Sequence, residues 1–133
     1  MPFGAGSVIT NVGKGINAKR LVGTTPAQLE PKWLAMGVGA TGAARTAAAA
    51  DTALSTEVET RAVGTPTTVT TTQTNDTYQT VGTITATATR AVDECGTFDQ
   101  LATGGNMHQS HTFAVVNLSS SDSIQFTAKC QFT

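Results

Sequence analysis

From residue 82 the chain alternates strictly. Gly82, Ile84, Ala86 and Ala88 lie two apart, with Thr83, Thr85, Thr87 and Thr89 between them. A strand there turns a small apolar face inward and a threonine ladder outward. The same period returns near the end of the chain. Ile124, Phe126, Ala128, Cys130 and Phe132 are expected inward, and Gln125, Thr127, Lys129 and Gln131 outward. Between these segments Phe113-Ala114-Val115-Val116-Asn117-Leu118 is strand-like, bounded by the turn signal Gly104-Gly105-Asn106 and by a loop over residues 119–122. Residues 67–74 are nearly all threonine around Val69 and suit an edge strand, closed by the turn pair Asn75-Asp76.

Upstream, Pro31 opens the run Trp33-Leu34-Ala35-Met36, which Gly37-Val38-Gly39 ends. Four apolar residues between Pro and Gly fit a buried strand better than a helix. Ala47-Ala48-Ala49-Ala50 suits one or two helical turns, with Asp51 and Thr52 beside it as turn or cap residues. Short strands separated by turn signals predict an all-β fold, an antiparallel sandwich or barrel, over residues 31–133. Residues 1–30 show no sustained period. They are expected to form an extended N-terminal arm; the alternative is a first strand over residues 7–12 paired into the main sheet.

Composition narrows the function more than the fold. A chain of 133 residues suits one domain able to bury its own core. Only 13% of residues are charged and the net charge is −1, so a phosphate-neutralising groove for nucleic acid is not expected. No apolar run approaches the roughly 20 residues of a membrane helix. The first residues lack a basic start and an apolar stretch, so synthesis in the cytoplasm is expected. Threonine occurs 26 times; it covers a sheet without charge, which suits a protein packed against neighbours. Cys95 and Cys130 are too few for a disulfide framework, and Cys130 is in phase with apolar neighbours, as a buried thiol would be.

Catalytic patterns were weighed against blander readings. Gly37-Val38-Gly39-Ala40-Thr41-Gly42 spells G-x-G-x-x-G, with Glu57 downstream. A dinucleotide site needs a βαβ unit with apolar parallel strands, and the residues that follow are too polar and too rich in alanine. His108 and His111 are three apart, on opposite faces if the segment is a strand, so a shared metal is not expected. No nucleophile elbow is present. Catalytic residues, metal ligands, cofactors and a small-molecule substrate are therefore not expected. Glu57, Glu59, Arg61, Arg90 and Glu94 stand out in a charge-poor chain. They are either paired, since a lone buried charge is costly, or carried on a solvated loop.

Those residues belong to a spaced pattern. Gly37-Val38-Gly39 is followed by Asp51-Thr52-Ala53-Leu54-Ser55-Thr56-Glu57 with Arg61, then by Glu94-Cys95-Gly96-Thr97-Phe98-Asp99, Gly104-Gly105-Asn106-Met107, Phe113 and Ser121-Asp122-Ser123-Ile124. Over residues 31–133 this resembles tailed-phage virion structural proteins of the capsid decoration, or cement, type, a pattern shared with small tail-fibre subunits. The resemblance implies a jelly-roll-like β-sandwich that binds across major capsid subunits on the virion surface. It implies contact with neighbouring copies, with a trimer as the natural symmetry. The alternative it carries is a small tail or fibre subunit, including a host-receptor-binding one. Together with the scarcity of charge, it implies a partly buried Glu57–Arg61 pair near a turn containing Glu94. In such a protein the arm would pair with a capsid subunit's sheet edge, with Ile9, Val12 or Ile16 filling pockets.

Overall fold

Residues 7–24, 29–40 and 45–133 are described by the computed structural model. In chain order the described elements are β1 (Ser7–Ile9), α1 (Asn11–Leu21), β2 (Trp33–Val38), β3 (Thr56–Val63), β4 (Thr65–Val69), β5 (Thr77–Thr85), β6 (Arg90–Phe98), β7 (Met107–Leu118) and β8 (Ser123–Gln131). They form two antiparallel sheets, ordered β1-β7-β6-β2-β3 and β4-β5-β8, packed as a sandwich. The two alternating segments pair with each other, from Thr77 opposite Gln131 to Thr85 opposite Ser123. Their common period puts Ile84, Ile124, Phe126 and Ala128 on one face, where they meet Leu34, Met36, Val92, Cys95 and Leu118 of the larger sheet. Each large side chain so buried contributes about 1.5–3 kcal/mol. Phe113 adds a tilted ring contact to Phe126 at 6.1 Å. The threonine-rich β4 is an edge strand, but it ends at Val69; residues 70–74 of the expected strand instead turn back, because the Asp76 carboxylate takes the N–H groups of Thr71, Thr72 and Gln73.

Residues 7–21 are not an extended arm. Ser7–Ile9 pairs with β7 through Ser7 opposite His111, so a short edge strand opens the fold. Thr10 then caps a helix: its hydroxyl accepts from Gly13 N at 3.0 Å and donates to the carbonyl of Met107. Gly13 and Gly15 weaken an isolated helix by roughly 1 kcal/mol each, so docking must stabilise it. Gly13 permits that docking, because a Cβ there would lie 2.3 Å from the carbonyl oxygen of His108. Ile16, 1% exposed, fills the space beneath. Residues 1–6 and 25–28, the rest of the expected arm, lie outside the described residues.

Three local expectations also change. Residues 47–50 form no helix; Asp51 N reaches back to Ala48 O at 3.0 Å in a single turn, because the Asp51 side chain takes the competing Ala48 N–H. Ala88 is exposed, since β5 has already ended at Thr85. Phe132 is 52% exposed rather than inward. The chain leaves the sheet after Gln131, where Phe132 N donates to the Asp76 carbonyl.

Candidate functional site

The outer face of the larger sheet carries Gly37, Asp51, Leu54, Glu57, Arg61, Glu94 and Phe98 of the spaced pattern, while Cys95, Phe113 and Ile124 belong to the core between the sheets. Its geometry begins with a bulge in β3. Val58 lies opposite Met36 and Ala62 opposite Leu34, so four steps along β3 match two along β2. Glu59, at φ 63°, takes up the excess in a left-handed conformation that few non-glycine residues adopt. Glu57 and Arg61 would be about 13 Å apart on a regular strand. The bulge brings them to one short stretch of the same face.

Arg61 there donates from Nε and Nη2 to the two Glu57 carboxylate oxygens, at 2.7 and 2.9 Å. Its Nη1 donates to the carbonyls of Gln100 and Gly104, both at 2.9 Å. The guanidinium lies over the Phe98 ring, 3.6 Å from its centroid. Asp99 closes the same loop by accepting from Asn106 N and Nδ2, each at 2.8 Å.

Glu94 is not part of that pair and does not lie in a turn. It is a fully buried β6 residue that accepts from Arg45 Nη1 at 3.1 Å and from Thr56 N at 3.2 Å. The side chain has room only because its neighbour is Gly37; a Cβ there would sit 2.6 Å from Glu94 Oε1. Arg45 also pairs with Asp51 at 2.9 Å, and Asp51 accepts from Ser110 Oγ at 2.6 Å. Residues 45–55 are thereby laid over the sheet, and Leu54 seals a second apolar cluster with Ala35, Phe98 and Met107. This layer buries Met107 and Ser110 on the outer face, while His108 and Gln109 of the same run are buried on the inner side against Tyr78 and Lys129 of the smaller sheet. Arg45 was missed in the sequence, where only the scarcity of charge could have marked it. Arg90 pairs with Glu59 at 2.8 Å. The Thr87 hydroxyl and that guanidinium hold the Glu59 carboxyl below its ordinary range.

The two histidines both face the inner side, against the expectation of opposite faces. A register shift between Thr97 and Phe98 breaks the alternation of β7. His108 stacks edge-on to Tyr78 of β5, and His111 lies opposite the inward Cys95. His108 Nε2 and Asn17 Oδ1 are 3.0 Å apart. Burial pushes His108 down to about 4 and His111 down to about 3, so both are neutral over most of the pH range. Burial likewise raises both thiols, Cys130 to about 11. Among the described residues no group of three or more His, Cys, Asp or Glu side chains could hold a metal. β2, which precedes the glycine-rich run, is antiparallel to both neighbours, unlike a dinucleotide-binding strand. Thr41 and Gly42 of that run lie outside the described residues.

Of the residues expected to anchor an arm, Ile16 fills the protein's own core, while Ile9 and Val12 are half-buried. What α1 does leave open is a groove of about 400 Å³ between its last turn and Phe132, lined by Asn17, Arg20, Leu21 and Phe132. The groove adjoins a recess of about 180 Å³ that runs past Ile16 and Pro31 to Tyr78 and His108. No known protein family, curated protein or solved structure matches the chain.

Proposed function

We propose that the chain is a non-catalytic virion subunit of a tailed phage, a decoration protein that binds across major capsid subunits and stabilises the head. One observation carries this reading most. About half of the spaced residues on which the resemblance rests meet in two braced clusters on one sheet face: Gly37 beside Glu94 with Asp51 and Leu54 laid over the sheet, and Glu57 and Arg61 on Phe98. A pattern whose members brace one another is the signature of a scaffold. Chemistry on this face would need groups left unpaired and open to a substrate. The charge of the face is consumed internally, which accords with a protein whose work is to be rigid and to bind.

A head packed with DNA is pushed outward, and a braced sandwich bridging a joint between subunits resists their separation. Neighbouring copies of the same chain, as a trimer on a three-fold position, would share the load. The test is quantitative mass spectrometry of separated heads and tails. Hundreds of copies in the head fraction are expected. A few tens of copies confined to tails would replace this reading with that of a small tail or fibre subunit.

A further inference from the structure

The attachments of α1 converge on His108. Its carbonyl accepts from Thr10 N at 3.0 Å and packs against Gly13. Its ring meets Asn17 Oδ1 through Nε2, at 3.0 Å, and lines the same recess as Ile16. β1 extends the attachment along the next residues, Gln109 to His111. The two apolar clusters of the sandwich are built from residues 33–128, without help from β1 or α1. With two glycines in eleven residues, α1 is too short and too weak a helix to persist undocked. Residues 7–21 are thus a separable unit of low local stability, laid over a buried imidazole.

That imidazole has one place for a second proton. Asn17 Oδ1 can only accept, so Nε2 carries the hydrogen of the neutral ring. A further proton must go to Nδ1, which is buried and has no hydrogen-bond partner among the described residues. The whole residue is 1% exposed, so the cation would be unpaired away from water, which is strongly unfavourable. The groups that face it bring no relief. From α1 comes Arg20, of the same sign; from β5, Tyr78; from the segment before β2, the exposed Glu30, which does not hydrogen-bond the ring. β1 presents no titratable side chain. β7 itself adds His111, with Cys95 of β6 opposite it, and β8 places Cys130 opposite Tyr78. Burial first, and Arg20 second, hold His108 below its ordinary range.

We propose that β1 and α1 form an acid-released clasp: protonation of His108 detaches residues 7–21 as a unit while the sandwich behind them stays folded. Nδ1 takes its proton from solvent as α1 lifts and water reaches the ring. Release bares the β7 edge over Gln109 to His111, which β1 otherwise occupies.

Hydrogen exchange of the full-length protein, read by mass spectrometry and corrected for the intrinsic rate at each pH, follows the opening of each element. From pH 6 to pH 5 the opening constant of residues 10–21 should rise by up to about tenfold, the effect of one proton. It should exceed the opening constants of β5 and β8 throughout. His108→Gln should flatten the rise. Asn17→Asp sets a carboxylate against the ring, gives the imidazolium a partner, and should abolish or reverse it. An α1 whose opening ignores pH, or that loses protection only together with β5 and β8, overturns the proposal. So does Asn17→Asp with the wild-type response, since the sensor would then lie elsewhere. Where a variant fails to fold, the wild-type comparison between α1 and the two strands decides alone.

Discussion

The Arg61 guanidinium lies on the Phe98 ring, 3.6 Å from its centroid, while its edges hold Glu57 and two carbonyls of the loop before β7. One side chain thus joins the β3 edge, the β6 core and the turn around Gly104. Replacing it with Ala strands the Glu57 carboxylate and frees that loop. Arg61→Ala is expected to lower stability by about 3–5 kcal/mol, the range for breaking a buried pair, measured by urea unfolding. Lysine keeps the charge but not the planar fork, so Arg61→Lys should recover only part. A loss below about 1 kcal/mol would put the pair in the class of exposed ion pairs.

Gly13 tests the docking of α1. No Cβ fits against the His108 carbonyl, so Gly13→Ala must lift the helix from β7 despite alanine's better helix propensity. The expected result is a loss of about 1–3 kcal/mol and faster tryptic cleavage at Lys19 and Arg20. Gly15, with open space around it, is the control: Gly15→Ala should stabilise, by up to about 1 kcal/mol. Equal effects of the two substitutions would disprove the close contact.

The buried histidines set an acid limit. In the unfolded chain they take up protons as the pH falls through about 6.5. The folded ones resist until about 4 for His108 and about 3 for His111. Between those values the unfolded state binds more protons, so stability rises with pH and is lost on acidification. Each histidine should contribute a slope of about 1.4 kcal/mol per pH unit. Urea titrations between pH 6.5 and 5.5 read mainly the histidines, since unfolded carboxylates take up protons mostly below that window. A His108→Gln variant should retain about half the slope; a flat profile in wild type would refute the neutral buried pair.

Cys95 and Cys130 are buried, and both thiols are raised above their ordinary range. A thiol reagent at pH 8 is expected to modify neither in the native protein and both in urea, since the thiolate is the reacting species. Rapid native labelling would show that the sandwich opens locally.

The strands that sequence patterning revealed were those governed by one rule. In β5 and β8 each side chain has one wet face and one dry face, so period two is visible. Met107 to His111 are buried, and nothing in a run of His, Gln and Ser announces that other segments will cover both of its faces. The helix was hidden for a different reason. Asn11–Leu21 has two glycines and no apolar stripe, and it exists because Thr10 caps it and Ile16 finds a site 92 residues away beside His108. Glu57 and Arg61 could be picked out as charges, but their bidentate geometry depends on the Glu59 bulge. Arg45 lay in a run of alanines with no period to place it. Phe132 was misassigned by carrying the alternation one step past the last paired residue.

The order of the strands also sets a schedule for synthesis. β5 pairs with β4 on one side and with β8, made last, on the other, and β1 has only β7, with Ser7 opposite His111. As the chain emerges from the ribosome, β1 and α1 come out early and have nothing to dock against until β7 follows. Local hairpins, β2 with β3 and β6 with β7, are free to form meanwhile. The apolar face of β6 and β2 remains uncovered on one side until Phe126 and Ala128 arrive. A chain stalled before residue 123 therefore still exposes the part of this apolar face that β8 covers.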